Sequence, residues 1–275
     1  MAMALSLSVR IAESRRAKDV AAIPIDDLAA RAKAAGFAGL SMQASVVSVH
    51  SPRARARQVR ALLDRLGLRV SMVTGDLPLA INNAAATASL HGPTPYLDLA
   101  ECLGCRLLRV MLHHEDDIGV ARRAADEAAE RGMALSHQMH WGSLFETVDG
   151  ALDVLGKIGR DNFGVTLEPA NMLVNGTAHG RSAVERLAPY LRNVYFQNIR
   201  LDPASALIWR SRRRGPVGVR YLALGDKSGI DAPALIEALK RVGYDGWFSV
   251  HQPLADGEDA GAAIRHAAAL FLPML

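Results

Sequence analysis

A chain of 275 residues, half of them hydrophobic, has the apolar content for one large core, and a single domain over 1–275 is the expectation. Thirty-two Lys and Arg against 28 Asp and Glu leave a formal charge of +4, an excess that suits anionic small ligands and falls short of a nucleic-acid surface. No stretch is long and apolar enough to span a bilayer, and residues 1–9 lack a charged segment ahead of their short apolar run, so a cytoplasmic protein with neither leader nor membrane contact is expected.

A strand-then-helix alternation runs along the chain. Leu5 to Val9 reads as a strand and Ile25 to Ala35 as an amphipathic helix closed by Gly36, the residue that most readily takes a left-handed cap. Strand Gly39 to Ala44 follows, then the arginine-rich helix Pro52 to Leu66 ending at Gly67, whose arginines recur at helical spacing on a face expected to be solvated. Strand Arg69 to Thr74, helix Pro95 to Leu103 and strand Arg106 to Leu112 come next, the last an apolar run of the kind a strand covered on both faces requires. Helix Ile118 to Arg131, strand Ala134 to His140, helix Leu144 to Ile158 and strand Phe163 to Glu168 continue the beat. It closes with helix Ser182 to Leu191, strand Asn193 to Ile199, helix Ala232 to Val242, strand Trp247 to His251 and helix Gly261 to Phe271.

Eight strands alternating with eight helices predict an α/β fold, a closed parallel (β/α)8 TIM barrel rather than an open doubly wound sheet. Two segments break the rhythm, Asp76 to Pro93 and Leu201 to Gly229. Both follow strands, on the face where barrels build their sites, and are candidate substrate loops.

The two cysteines, Cys102 and Cys105, straddle a helix end and the following strand. No second pair completes a zinc site, and they read as reduced thiols. No glycine-rich phosphate loop follows the first strand, which argues against a nicotinamide oxidoreductase.

Polar residues concentrate at the strand ends: His113 and His114 on the fourth, His137, Gln138 and His140 on the fifth, Glu168 on the sixth, Gln197 and Asn198 on the seventh, His251 and Gln252 on the eighth. Imidazole, carboxylate and amide oxygen converging from several strands form the donor set of a divalent-metal shell. Strand alternation turns His137 away from the axis if Gln138 points inward. Glu168 inside an apolar strand requires a partner, as does Arg109 in the fourth strand. The run Trp209 to Arg214 reads equally as an oxyanion clamp, with Trp209 and Arg210 as candidate substrate contacts, or as a solvated loop.

The runs Gly142-Ser143-Leu144-Phe145-Glu146-Thr147, Leu167-Glu168-Pro169-Ala170-Asn171 and Gly243 to His251, with Ala100 to Gly104 and the strand order, resemble the sugar phosphate isomerase/epimerase family of xylose isomerase-like barrels over nearly the whole chain. The resemblance implies an isomerase or epimerase that stabilises an enediolate on one divalent metal, with a small-molecule substrate and homo-oligomerisation as a common property. The family's Glu, Asp, His and Glu ligands fall on Gln138, Glu168, Gln197 and His251. A shell with one carboxylate favours Mn over Fe, Zn, Co or Mg. His140, Glu168 and His251 are the expected catalytic residues, and Arg109, His113, Asn171, Trp209 and Arg210 the expected substrate contacts. Glutamine cannot accept a proton, so a symmetric two-glutamate epimerisation gives way to a one-base reaction. A dehydratase of the inosose or dehydroshikimate type is the alternative, and a non-catalytic binding barrel a third. The apurinic-endonuclease branch needs more acidic ligands than these strand ends carry.

Overall fold

The computed structural model describes residues 2–13 and 18–275. Eight parallel strands close into a barrel: β1 (Ala4–Ser8), β2 (Gly39–Met42), β3 (Arg69–Val73), β4 (Leu107–Val110), β5 (Ala134–Gln138), β6 (Phe163–Leu167), β7 (Leu191–Phe196) and, last in the chain, β11 (Trp247–Val250), which pairs with both β1 and β7. Between them β8 (Ile199–Leu201), β9 (Ile208–Ser211) and β10 (Gly215–Tyr221) form a separate antiparallel sheet, with β10 in the middle.

The expected strand order is observed, with shorter strands. Helices α1 (Ile25–Ala35) and α2 (Arg53–Leu66) end at Gly36 and Gly67, both left-handed at φ 99° and 63°, so the cap residues do what their positions predict. On α2 only Ala56, Val59 and Leu63 are buried, which leaves its arginines on the outer side. The first irregular segment folds into two short helices, α3 (Leu77–Ile81) and α4 (Ala88–His91), ahead of α5 (Thr94–Cys102). Asp76 fixes the start of α3 by accepting from the Leu79 amide at 2.8 Å and from the Tyr96 hydroxyl at 2.6 Å.

Helices α6 (Asp117–Glu130) and α7 (Val148–Ile158) cover the next strands, and Thr147 caps α7 through the Gly150 amide at 3.0 Å. A helix that the sequence did not announce, α8 (Pro169–Val174), begins at Glu168 because Pro169 brings a preset φ and needs no amide partner there. The helix expected over Ser182 to Leu191 is α9 (Arg181–Leu187) followed by a 3-10 turn at Pro189, and Leu191 already belongs to β7. The proline ring and the tighter turn end the α-helical spacing early. The strand expected to run through Ile199 stops at Phe196, and Ile199 opens β8. The loop expected from Leu201 to Gly229 is therefore largely a sheet. Helices α10 (Ala232–Arg241) and α11 (Ala260–Phe271) close the outer ring, capped by Asp231 and Asp259.

The core lies between the barrel and its helices, as in the cluster of Phe196, Phe248 and Phe271, whose rings stand 5.0–5.7 Å apart. Inside the barrel polar residues surround Met72, whose sulfur faces Thr166 and Asn193. Ser6 bonds Ser71 at 2.7 Å, Ser41 bonds Tyr195 at 2.6 Å, Ser136 bonds Thr166 at 2.7 Å and Ser249 donates to Asn193 at 3.1 Å. Each of these buried hydroxyls gains a partner on another strand, neighbouring or more distant, which meets the cost of removing it from water. Among the described residues no helix is long and apolar enough to cross a membrane. Cys102 and Cys105 are unpaired, and burial pushes the Cys105 thiol up to about 12, so it stays protonated.

Candidate active site

The strand period of two decides which side chains reach the lumen. With Ser136 facing inward, Gln138 follows it and His137 points out, stacked on Phe145 at 4.0 Å in the helix layer. Burial lowers His137 to about 3, the state of a neutral core imidazole. Arg109 sits opposite Ser136 in register and also faces inward.

At the C-terminal mouth, Gln138, Glu168, Gln197 and His251 come together from β5, β6, β7 and β11. Glu168 is fully buried. One of its oxygens accepts from the Gln197 amide; the other accepts from Gln138 and, at 2.7 Å, from Asn171. Burial raises its carboxyl to about 7 against the opposing effects of Gln197, Arg109, Lys18 and Asn171. Tyr221 of β10 donates to the Gln197 carbonyl oxygen at 3.0 Å and ties the small sheet to the mouth.

Above this floor is a cavity of about 200 Å³ walled by Arg10, Lys18, Arg109, His140, Trp141, Trp209, Tyr221 and His251, with Gln138, Asn171 and Gln197 at its base. Glu168 lies beneath, and its covering amides stand between it and the cavity. Lys18 donates to the Ala80 carbonyl of α3 at 2.8 Å. Burial, with Arg10 and Arg109 nearby, lowers its ammonium to about 7. Arg10 pairs with Glu13 at 3.4 Å. Arg109 is buried, its Nε has no partner, and among the described residues its guanidinium makes no hydrogen bond or ion pair.

Hydrogen-bond partners fix the tautomers of the two histidines. His140 Nδ1 lies 2.7 Å from the Trp141 carbonyl oxygen, which can only accept, so Nδ1 carries the proton. The Asn82 amide nitrogen lies 3.0 Å from Nδ1 and 2.9 Å from the same carbonyl; the carbonyl oxygen accepts from both nitrogens, because an unprotonated Nδ1 would face its lone pairs at 2.7 Å. His140, which lines the cavity, is left with Nε2 as its acceptor. At His251, Ser8 Oγ already accepts from the Arg10 amide at 3.2 Å and from Gln43 at 3.4 Å, so its one proton goes to His251 Nδ1 at 2.8 Å. His251, stacked on Tyr195 at 4.0 Å, therefore presents an N–H at Nε2. Desolvation, followed by Arg109 for His140 and by Lys18, Arg10 and Arg109 for His251, holds both rings well below 6.5 and neutral.

Of the residues anticipated from sequence, Arg109, Gln138, His140, Asn171, Gln197, Trp209 and His251 line the cavity, with Glu168 under them. His113 does not; its Nε2 bonds Asn82 at 3.0 Å. Arg210 is exposed on β9, and the amides of Arg212 and Arg213 clasp Glu146 at 2.6 and 3.3 Å instead of forming an oxyanion clamp. Asn198 and Gln252 hold the loop after β10 through Ala223, Asp226 and Leu222. Sequence reasoning missed Arg10, Lys18, Trp141 and Tyr221. Arg10 and Trp141 were within reach, since each follows a strand end.

A family model described as a xylose isomerase-like TIM barrel matches residues 29–273. The chain belongs to this family. No curated protein sequence matches it. Among solved structures of xylose isomerase-like barrels, a xylose isomerase domain protein from Planctomyces limnophilus is 18% identical, with 99% of this chain and 96% of that chain covered at a TM-score of 0.73. A protein described as the probable 3-DHS dehydratase involved in petrobactin synthesis in Bacillus anthracis is 16% identical over 98% and 99% of the two chains, with a TM-score of 0.69. D-allulose 3-epimerase from Methylomonas sp. is 16% identical over the full length of both chains, also at 0.69. At these identities the likeness establishes the shared fold.

The divalent metal implied by the family resemblance does not fit the donor set as it stands. Glu168 is its only carboxylate, and both of its oxygens are engaged by amide N–H groups. Arg10, Lys18 and Arg109 occupy the same mouth, where a further dication would be repelled. Among the described residues no group of three or more His, Cys, Asp or Glu converges.

Proposed function

We propose that this barrel is an isomerase or epimerase of a small hydroxy-keto compound, working by proton transfer at the carbon beside a carbonyl without a metal. The observation that carries the reading is the complementary pair of imidazoles on one cavity: an unprotonated Nε2 on His140 and an Nε2–H on His251. His140 takes the proton from carbon. His251 donates a hydrogen bond to the carbonyl oxygen as it gains negative charge, and the cations around it lower the energy of the enediolate. Glu168 is a positioning residue in this scheme, holding Gln138, Gln197 and Asn171 as the floor.

With His140 as the base, return of the proton to the former carbonyl carbon, while the hydroxyl proton of the carbon that lost it passes to the former carbonyl oxygen, gives aldose–ketose isomerisation. The same protonated His140 can instead hand its proton to a departing β-hydroxyl, which is the dehydratase reading. The assay is proton NMR in D2O with a panel of ketoses and hydroxy-keto acids, after chelation and again with added Mn²⁺. Exchange or conversion should survive chelation and fall at least about 100-fold in His140→Asn. Activity that appears only with Mn²⁺ refutes the metal-free scheme, and no exchange under either condition leaves a binding barrel. Loss of a β-hydroxyl in the product selects the dehydratase.

A further inference from the structure

Among the described residues Arg109 is a buried charge without a partner. It lies on a central strand with 2% of its surface exposed and lines the cavity. Among the described residues it makes no hydrogen bond or ion pair, and its Nε is buried without an acceptor. A guanidinium taken out of water costs several kcal/mol unless an anion and hydrogen-bond acceptors replace its hydration. Its neighbours do not supply them. Glu168 is consumed by three amides, Asp76 by Leu79 and Tyr96, and Glu13 by Arg10 and Ser45. The fork that would accept a planar anion is thus built into the barrel with its acceptor missing.

We infer that Arg109 is the seat of a carboxylate on the substrate, so that the compound turned over is a hydroxy-keto acid and not a neutral sugar. A planar carboxylate matches the guanidinium edge with two parallel hydrogen bonds. The charge balance of the mouth points to a monoanion: Glu13 pairs with Arg10, Glu168 acts electrostatically on Lys18, and among the described residues at the mouth Arg109 is left without a counter-charge in contact. The size agrees, since about 200 Å³ holds roughly ten non-hydrogen atoms, enough for a short acid and too little for a nucleotide. The assignment of substrate class rests on the proposed function, whereas carboxylate binding at Arg109 does not, and the experiment reads binding alone.

Trp141 and Trp209 both line the cavity, so tryptophan fluorescence reports its occupancy without turnover. The protein is titrated with glycerate, with its neutral analogue glycerol and with inorganic phosphate, and the same titrations are made on Arg109→Lys and Arg109→Met, whose folding is checked by circular dichroism. Glycerate should bind at least tenfold more tightly than glycerol or phosphate, weaken several-fold in Arg109→Lys and lose all preference over glycerol in Arg109→Met. Equal binding of glycerate and glycerol by the unmodified protein, no response to glycerate, retention of the preference in Arg109→Met, or phosphate binding more tightly than glycerate each overturns the proposal. Carboxylate binding that depends on Arg109 in a protein showing no proton exchange would sustain the anion site while sinking the isomerase reading.

Discussion

Glu168 predicts an unusual pH dependence of stability. In the unfolded chain its carboxyl titrates near the ordinary value of 4.5, and in the folded barrel burial raises it to about 7. Between these values the folded state holds a proton that the unfolded state has released, so the stability contributed by this group is fully present below pH 4.5 and is lost as pH climbs toward 7. A rise of roughly 2.5 pH units at about 1.4 kcal/mol each sets the full loss at about 3.5 kcal/mol, of which about 3 kcal/mol falls between pH 4.5 and 8. Glu168→Gln is nearly the same size and cannot titrate, and the Gln138 and Gln197 amides can turn to present either oxygen or nitrogen to it. Urea unfolding of both proteins from pH 4.5 to 8 should show the Glu168 protein losing about 3 kcal/mol relative to the variant across that window. Lys18, lowered from 10.5 to about 7, acts in the opposite sense and at higher pH: its contribution grows as pH rises from 7 to 10.5, so the two windows separate. A stability difference between the two proteins that is flat in pH, or that grows in favour of Glu168 as pH rises, would refute the assignment of Glu168 as a buried carboxyl held near neutrality.

Other perturbations have equally direct readouts. Asp76→Ala removes the cap of α3 and leaves the Tyr96 hydroxyl without its acceptor, so chemical denaturation should register a loss of about 2–3 kcal/mol. Glu146→Ala releases the β9–β10 turn, whose exposed Arg212, Arg213 and Arg214 should then be cut by trypsin several-fold faster, with the barrel's melting temperature changing by only a few degrees. Phe271→Ala opens a cavity beneath Phe196 and Phe248 and should cost about 3–5 kcal/mol in urea.

Parts of the site were legible because they follow from periodicity. The alternation of strand residues sends Gln138 inward and His137 outward, and both ended up where that rule sends them. Gln138, Glu168, Gln197 and His251 had to converge once the strand count closed a barrel, because strand ends share one mouth. Arg109 stood out as a charge inside an apolar strand. Lys18 and Tyr221 gave no such signal: Lys18 comes from the segment after β1 and is held by Ala80 of α3, and Tyr221 comes from a sheet that read as a loop. Their places depend on contacts between segments roughly 60 residues or 24 residues apart in the chain, which local spacing does not encode.

The sequence by itself determined the barrel, its strand order, the glycine caps of α1 and α2 and the strand ends that carry polar side chains, since each depends on hydrophobic period or on the conformational limits of single residues; the family resemblance singled out four positions among those ends. Only the tertiary structure decided what those positions do together. Whether Glu168 is bonded by amides or free, which nitrogen of His140 and of His251 carries its proton, and whether Arg109 has a partner are settled by distances of about 3 Å between residues far apart in the chain. Hydrogen bonding and charge act at that range, and a one-dimensional pattern does not specify it.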